Sequence, residues 1–97
     1  MKILAIEKER PGATPERFRP HLKAEAMRAW ELHQAGIIRE LHFREDEHSA
    51  VLVLECRDVA EARSALDTLP LVREGLIDFE VIPLVPYPGF ARLFAET

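Results

Sequence analysis

The sequence predicts an α+β domain of order βαββαβ: a four-stranded antiparallel sheet with two helices on one face. Three observations carry this. Four short runs are rich in β-branched and aliphatic residues: KILAIEK, IIRELHFR, SAVLVLEC and LIDFEVIPL. Two longer stretches between them show helical spacing of apolar residues and cap signals at their starts. A short polar turn joins the second and third runs, as in a β-hairpin.

Each element has a local reason. KILAIEK is apolar on both alternating sets, Leu4 and Ile6 against Ile3 and Ala5, so both of its faces are covered. RPGA is a loop. Thr14 is an N-cap, Pro15 takes the first helical position and Glu16 sits in the first turn, which predicts a helix running to about Ala35. Gly36 stops it. IIRELHFRED alternates with period two, turns around Asp46 and Glu47, and returns as SAVLVLECRD. AVLVLEC is again apolar on both faces, which places it centrally. Asp58 and Glu61 form a capping-box pattern for the second helix, whose buried stripe is Val59, Ala62, Leu66 and Leu69. Pro70 ends or kinks it. In the fourth strand Ile77, Phe79 and Val81 share a face. The tail, residues 88–97, follows VPYP and carries Phe90, Leu93 and Phe94, apolar enough to predict that it docks on a neighbouring subunit. The order is the split-βαβ, or ferredoxin-like, arrangement. Two helices cover only one face of such a sheet, and the other is also largely apolar, so sheet-to-sheet pairing of two subunits is expected.

The chain has 97 residues, one small domain, and 47% of them are hydrophobic. A domain this short is marginal alone, and oligomerisation is a common remedy. The net charge is −4 with both signs interspersed, and no basic block points to nucleic acid. A single cysteine, Cys56, rules out a disulfide within the chain and fits a reducing, cytoplasmic setting. No apolar run approaches a membrane span, and the amino-terminal run reads as a strand rather than a signal peptide.

The most informative residue is Glu25. At 100° per residue it falls inside the stripe of Phe18, Leu22, Ala29 and Leu32, so the apolar face of the first helix carries a carboxylate. Desolvation raises the pKa of such a group, and a raised-pKa carboxylate suits proton transfer at a carbon next to a carbonyl. The alternative is a core charge satisfied by an inward-facing arginine. On the second strand, alternation puts Arg39 with Ile37, Leu41 and Phe43, and His42 with Ile38, Glu40 and Arg44. Arg39 suits a substrate carboxylate, or an ion pair with Glu25 or Glu55. Glu55 shares a face with Val51 and Val53 and, across an even turn, with His42 and Glu40. It reads as a second acid or base, or as the orienter of His42; the alternative is an edge carboxylate paired with Arg39 or Arg57. Tyr87 can reach a pocket mouth or pack within the tail. Met27 and Trp30 point away from the Glu25 stripe, which suggests a subunit contact or cover by the tail. His21 and Glu25 have ligand spacing, but no third metal ligand is fixed. His33 reads as packed against the buried stripe and His48 as exposed in the turn. Cys56 lacks any motif that activates a thiolate. No phosphate loop or nucleophile elbow is present.

LKAEA in the first helix, Gly36 followed by Arg39 and Leu41, LPL at 69–71, and IDFEV with Leu84 and Pro88 behind it resemble the muconolactone delta-isomerase family across nearly the whole chain. The resemblance implies a dimeric α/β barrel, assembly of dimers into a larger ring, no cofactor, and a proton shift in a small unsaturated lactone. It also implies an acid at Glu25 and a carboxylate clamp at Arg39. The chain departs from the family in lacking tryptophans on the second strand, in a longer segment after LPL, and in Glu7 on the first strand. The expectation is therefore a cofactor-free isomerase with Glu25, His42 and Glu55 as catalytic candidates and Arg39 and Tyr87 as substrate-binding candidates. Its partners are a small-molecule substrate and other copies of itself. The rival readings are a non-catalytic binding or assembly module on the same fold, and a YciI-like or monooxygenase-type enzyme.

Overall fold

A computed structural model describes residues 1–95. Four strands, β1 (Lys2–Glu9), β2 (Ile38–Phe43), β3 (Ala50–Glu55) and β4 (Ile77–Pro83), form one antiparallel sheet in the order β2-β3-β1-β4. This is the predicted α+β arrangement, with β1 and β3 central. The helical elements are α1 (Pro15–Phe18), α2 (Leu22–Gln34), α3 (Val59–Leu66) and α4 (Pro70–Arg73). Among the described residues, no helix is long and apolar enough to cross a membrane.

Alternation on the central strands sorts the two faces. Ile3 and Ala5 of β1, Ala50, Leu52 and Leu54 of β3, and Ile77 and Phe79 of β4 are buried on the helix side. They pack with Leu32 of α2, Ala62, Ala65 and Leu66 of α3, and Leu69 and Leu71 around α4. Leu4, Ile6, Val51, Val53 and Ile82 lie on the opposite, open face and are only half-buried. Leu4 is paired between Val53 and Ile82 there, at the centre of an apolar patch that no helix covers.

Both predicted helices are interrupted by proline. The first begins as expected, with the Thr14 hydroxyl accepting from the Arg17 amide and Pro15 in the first turn. Pro20 has no N–H to donate four residues back, so the chain tightens into a 3₁₀ turn at Arg19–His21 before α2 starts. Gly36 ends α2 with φ +79°, donating to His33 O while Ile37 donates to Leu32 O, the paired bonds of a left-handed helix stop. The second helix, capped by Asp58 accepting from the Glu61 amide at 2.8 Å, ends at Leu66. Pro70 then opens the one-turn helix α4.

β2 departs from simple alternation. Ile38 pairs with Leu54 but Glu40 already pairs with Val53, so Arg39 is the extra residue of a β-bulge. The bulge moves Ile38, expected beside His42, onto the helix-side face with Leu41 and Phe43. Beyond β4, Val85, Tyr87, Phe90, Leu93 and Phe94 are all exposed. The tail stretches the molecule to 61 × 29 × 21 Å and its radius of gyration to 16.3 Å, against about 13 Å for a compact chain of this length. Within this one chain the described part of the tail is not docked. Its last two residues, 96–97, lie outside the described residues.

Candidate active site

Helix α2 stands off the sheet. Only Leu32, near its C-terminal end, is buried; Leu22 is exposed and Phe18 and Ala29 are half-buried. The stripe that the sequence assigns to the core instead walls an open groove of about 1060 Å³ between α2 and the sheet. Phe18, Leu22 and Ala29 form one wall, and Leu41, Phe43, Leu52 and Phe79 form much of the other.

Glu25 lies on the α2 wall. Among the described residues it has no ion-pair partner, so the arginine pairing entertained from the sequence is absent. Its Oε1 accepts instead from the Leu71 amide at 2.9 Å. Pro70 supplies no N–H, so Leu71 carries the first free amide of α4, and a carboxylate is a favourable partner there. Burial pushes the Glu25 pKa up, the Leu71 hydrogen bond pulls it down, and the charge of Glu7 adds to the rise; the net effect is upward.

Glu7 is the residue that sequence reasoning passed over as a site. It continues the helix-side set of Ile3 and Ala5 on β1 and is only 9% exposed, yet it lines the same groove as Glu25. Its Oε1 accepts from the Ala50 amide at 3.2 Å, and Ser49 Oγ donates to its backbone oxygen at 2.8 Å. Burial raises its pKa above the usual carboxylate range, against the lowering effects of the Ala50 bond and nearby His48. The signal was available: a carboxylate on the buried set of a central strand is as anomalous as one on an apolar helix stripe.

The other candidates divide between the faces. Arg39 borders the groove, exposed, with Nε donating to Gly36 O. Arg19, placed by the 3₁₀ turn, borders it too. His42 and Glu55 sit on the open face, since His42 pairs with Val51 and Glu40 with Val53. His42 lies 3.1 Å from Glu40, and Glu55 lies 3.6 Å from the N-terminal ammonium. The sheet therefore separates both from Glu25 within one chain, on the shared face that alternation and an even turn give them. Tyr87 is exposed in the tail, edge-on to Phe90 at 5.1 Å and packed over Gly89, and does not line the groove of its own chain. Trp30 borders the groove rather than pointing away from it, and tilts against His33 at 5.5 Å. Met27 is exposed and outside it. His33 also borders the groove, with Nδ1 at 3.0 Å from Ile38 O. His48 is exposed in the hairpin turn as expected, and from there stacks on Phe43 at 5.1 Å and borders the groove too. Arg44 is held by Asp46 and Glu47 in the hairpin turn. Cys56 is buried, and burial raises its thiol pKa. Among the described residues, no group of three or more His, Cys, Asp or Glu is arranged to hold a metal ion.

The arrangement offers an apolar groove, two carboxylates inclined to hold protons, and two guanidinium groups at its margin. Chemically it can bind a small ring and move protons on it.

Comparison with known proteins bears on the same point. The family profile of muconolactone delta-isomerase matches residues 4–89. A crystal structure of muconolactone isomerase superposes with a TM-score of 0.74 at 22% identity, covering 91% of this chain and 92% of that one. The 5-chloro-2-hydroxyhydroquinone dehydrochlorinase from Burkholderia phenoliruptrix AC1100, in complex with 2,5-dihydroxybenzoquinone, superposes at 0.71 and 18% identity, covering 92% and 98%. At these identities the two structures speak to the fold. No curated protein sequence matches the chain.

Proposed function

The chain belongs to the muconolactone delta-isomerase family, and from that membership and the groove we propose that it is an isomerase moving a proton within a small unsaturated lactone or related carboxylic acid. Both similar structures are of enzymes acting on small molecules, which supports a small-molecule enzyme here. The observation that carries the finer reading is Glu25: a carboxylate with a raised pKa on an apolar wall, bound through one oxygen to an amide and with no ion-pair partner among the described residues.

In the simplest form of the reaction Glu25 removes a proton from a carbon next to the lactone carbonyl. Negative charge builds on the carbonyl oxygen as the enolate forms. Arg39, whose Nε is engaged by Gly36 O, turns its remaining guanidinium donors to a substrate carboxylate or to that oxygen; Arg19 is a second cation at the margin. Return of the proton at another carbon completes the shift. The apolar walls hold the ring and thin out water, which keeps the carboxylate basic enough to act.

The assembly belongs to the same proposal. The open sheet face pairs with that of a second copy, and the exposed aromatic tail docks on a neighbour. Pairing buries His42 and Glu55 at a subunit contact rather than in the groove. The direct test is turnover of muconolactone, followed by loss of lactone absorbance. A non-catalytic module is the one rival with an observation behind it, since the Glu25–Leu71 bond is also a plausible structural tie for α4. Absence of turnover, together with a small acid or lactone retained on native mass spectrometry, would favour that rival.

A further inference from the structure

Glu7 and Glu25 have the same construction. Each carboxylate lines the groove, each gives Oε1 to one backbone amide, and neither has an ion-pair partner among the described residues. Among those residues no buried side-chain polar atom lacks a hydrogen-bond partner, so the second oxygen of each, which has none among them, keeps surface open to solvent or ligand. Glu7 differs in one respect. It also lines a second, smaller cavity of about 360 Å³ with Lys8, Glu9, Glu47, His48 and Ser49. One wall of Glu7 therefore meets the apolar groove and the other a polar pocket.

We propose that Glu7 is a second proton-transfer group of the groove, working with Glu25 on the same bound substrate and reloading from solvent through the polar cavity beside His48. This rests on the isomerase reading and alters how the shift is completed. The pair enters with one carboxylate ionised and one protonated. The ionised member takes a proton from a substrate carbon: a C–H bond breaks and an O–H bond forms. The protonated member delivers its proton to the second carbon: an O–H bond breaks and a C–H bond forms. No net proton is gained or lost, and the pair resets when a proton leaves the loaded member and one returns to the emptied member. Glu7 carries that exchange because it faces the polar cavity. The charged and titratable groups facing the pair are Lys8 and Glu9 on the strand of Glu7, Glu47 and His48 from the hairpin, His33 from α2, and Arg19 and Arg39 at the margin.

The test is turnover in D₂O by wild type and Glu7→Gln, with the product read by NMR. Glutamine keeps an acceptor for the Ala50 amide. Wild type is expected to place solvent deuterium at the newly protonated carbon. Glu7→Gln is expected to lose at least about tenfold in kcat with KM little changed, and to retain the substrate's own hydrogen in the product, because Glu25 alone then removes and returns it. A Glu7→Gln enzyme within twofold of wild type, with the same isotope pattern, overturns the role of Glu7 and leaves the isomerase reading intact. A wild type that turns over no lactone overturns the isomerase reading instead. In that event the pair is judged by titrating ¹³C-labelled glutamate carboxyls. A Glu25 midpoint that falls in Glu7→Gln upholds the electrostatic link between the two groups, and one that stays put overturns it.

Discussion

Glu25→Gln and Glu25→Ala together separate chemistry from scaffolding at one position. Glutamine retains an oxygen for the Leu71 amide at 2.9 Å but cannot take a proton. Loss of a general base costs about 10²- to 10⁴-fold in rate, or roughly 3–5 kcal/mol of barrier. Stability should hold or rise, because a partly buried charge is removed. Alanine also removes the acceptor. Leu71 is 7% exposed, so its amide is left without its partner beside an open groove that water can enter. That points to the low end of the penalty for an unmade bond, about 1 kcal/mol, and a fall in Tm of about 4–8 °C for a domain this size. Lactone turnover and thermal melts on the same preparations decide the matter. Activity of Glu25→Gln within tenfold of wild type refutes Glu25 as the base. Equal destabilisation by both substitutions refutes the assumption that the amide needs only an oxygen, and makes the charge itself a tie for α4.

Three further outcomes are expected. Burial raises the folded-state pKa of Glu7 above the ordinary 4.5, so the folded state binds that proton more tightly than the unfolded chain does; the resulting stabilisation is complete below 4.5 and is lost as pH rises through the folded value. Glu7→Gln should therefore melt higher than wild type at pH 8, with the gain shrinking towards pH 4, and a gain that grows on acidification would reverse that sign. Leu4→Lys puts a charge at the centre of the open sheet face and should sediment as a monomer with unchanged circular dichroism, where the wild type, on the proposed pairing, sediments as a dimer or larger; a variant as large as the wild-type oligomer would move the interface elsewhere, and a monomeric wild type would refute the pairing. Gly36→Ala forces a side chain into φ +79°, where its Cβ meets only the Arg39 guanidinium at 3.7 Å, so the cost is backbone strain of about 1 kcal/mol, read as a shift in urea midpoint.

The sheet was legible because its signals are local. Apolar runs on both faces mark β1 and β3 as central, and the Thr14, Gly36 and Asp58 caps are spelled in adjacent residues. The site was legible only where an anomaly could be seen on one element. Glu25 stands out against Phe18 and Leu22 by helical spacing. Glu7 stands out against Ile3 and Ala5 by strand alternation, but a carboxylate near a strand end reads as a frayed edge until the hairpin folds over it and Ala50 meets it. Arg39, His42 and Glu55 depended on long-range register. Alternation set which of them share a face, but not which face the helices cover, and the bulge that carries Ile38 across is announced by nothing local in IIRELHF. The breaks at Pro20 and Pro70 were written in the sequence. The first was overridden in the reading by an otherwise continuous helical stripe.

Those two prolines are also where fold and chemistry meet. Pro20 interrupts the helix just before α2, which is fastened to the core through Leu32 near its far end. The near end is left off the sheet, and apolar side chains that would otherwise fill a core become the walls of a groove. Pro70 leaves Leu71 as the first amide of α4, and Glu25 is the group that reaches it, so the same carboxylate that gives the groove its chemistry also ties α4 to α2. Two half-desolvated carboxylates cost stability that a domain of this length can ill spare. The open sheet face and the outstretched tail hold the apolar surface that association could bury to offset it. On the proposed pairing, Leu4→Lys alone should melt below the triple variant that also carries Glu7→Gln and Glu25→Gln, because loss of assembly leaves the cost of both charges in place only in the first.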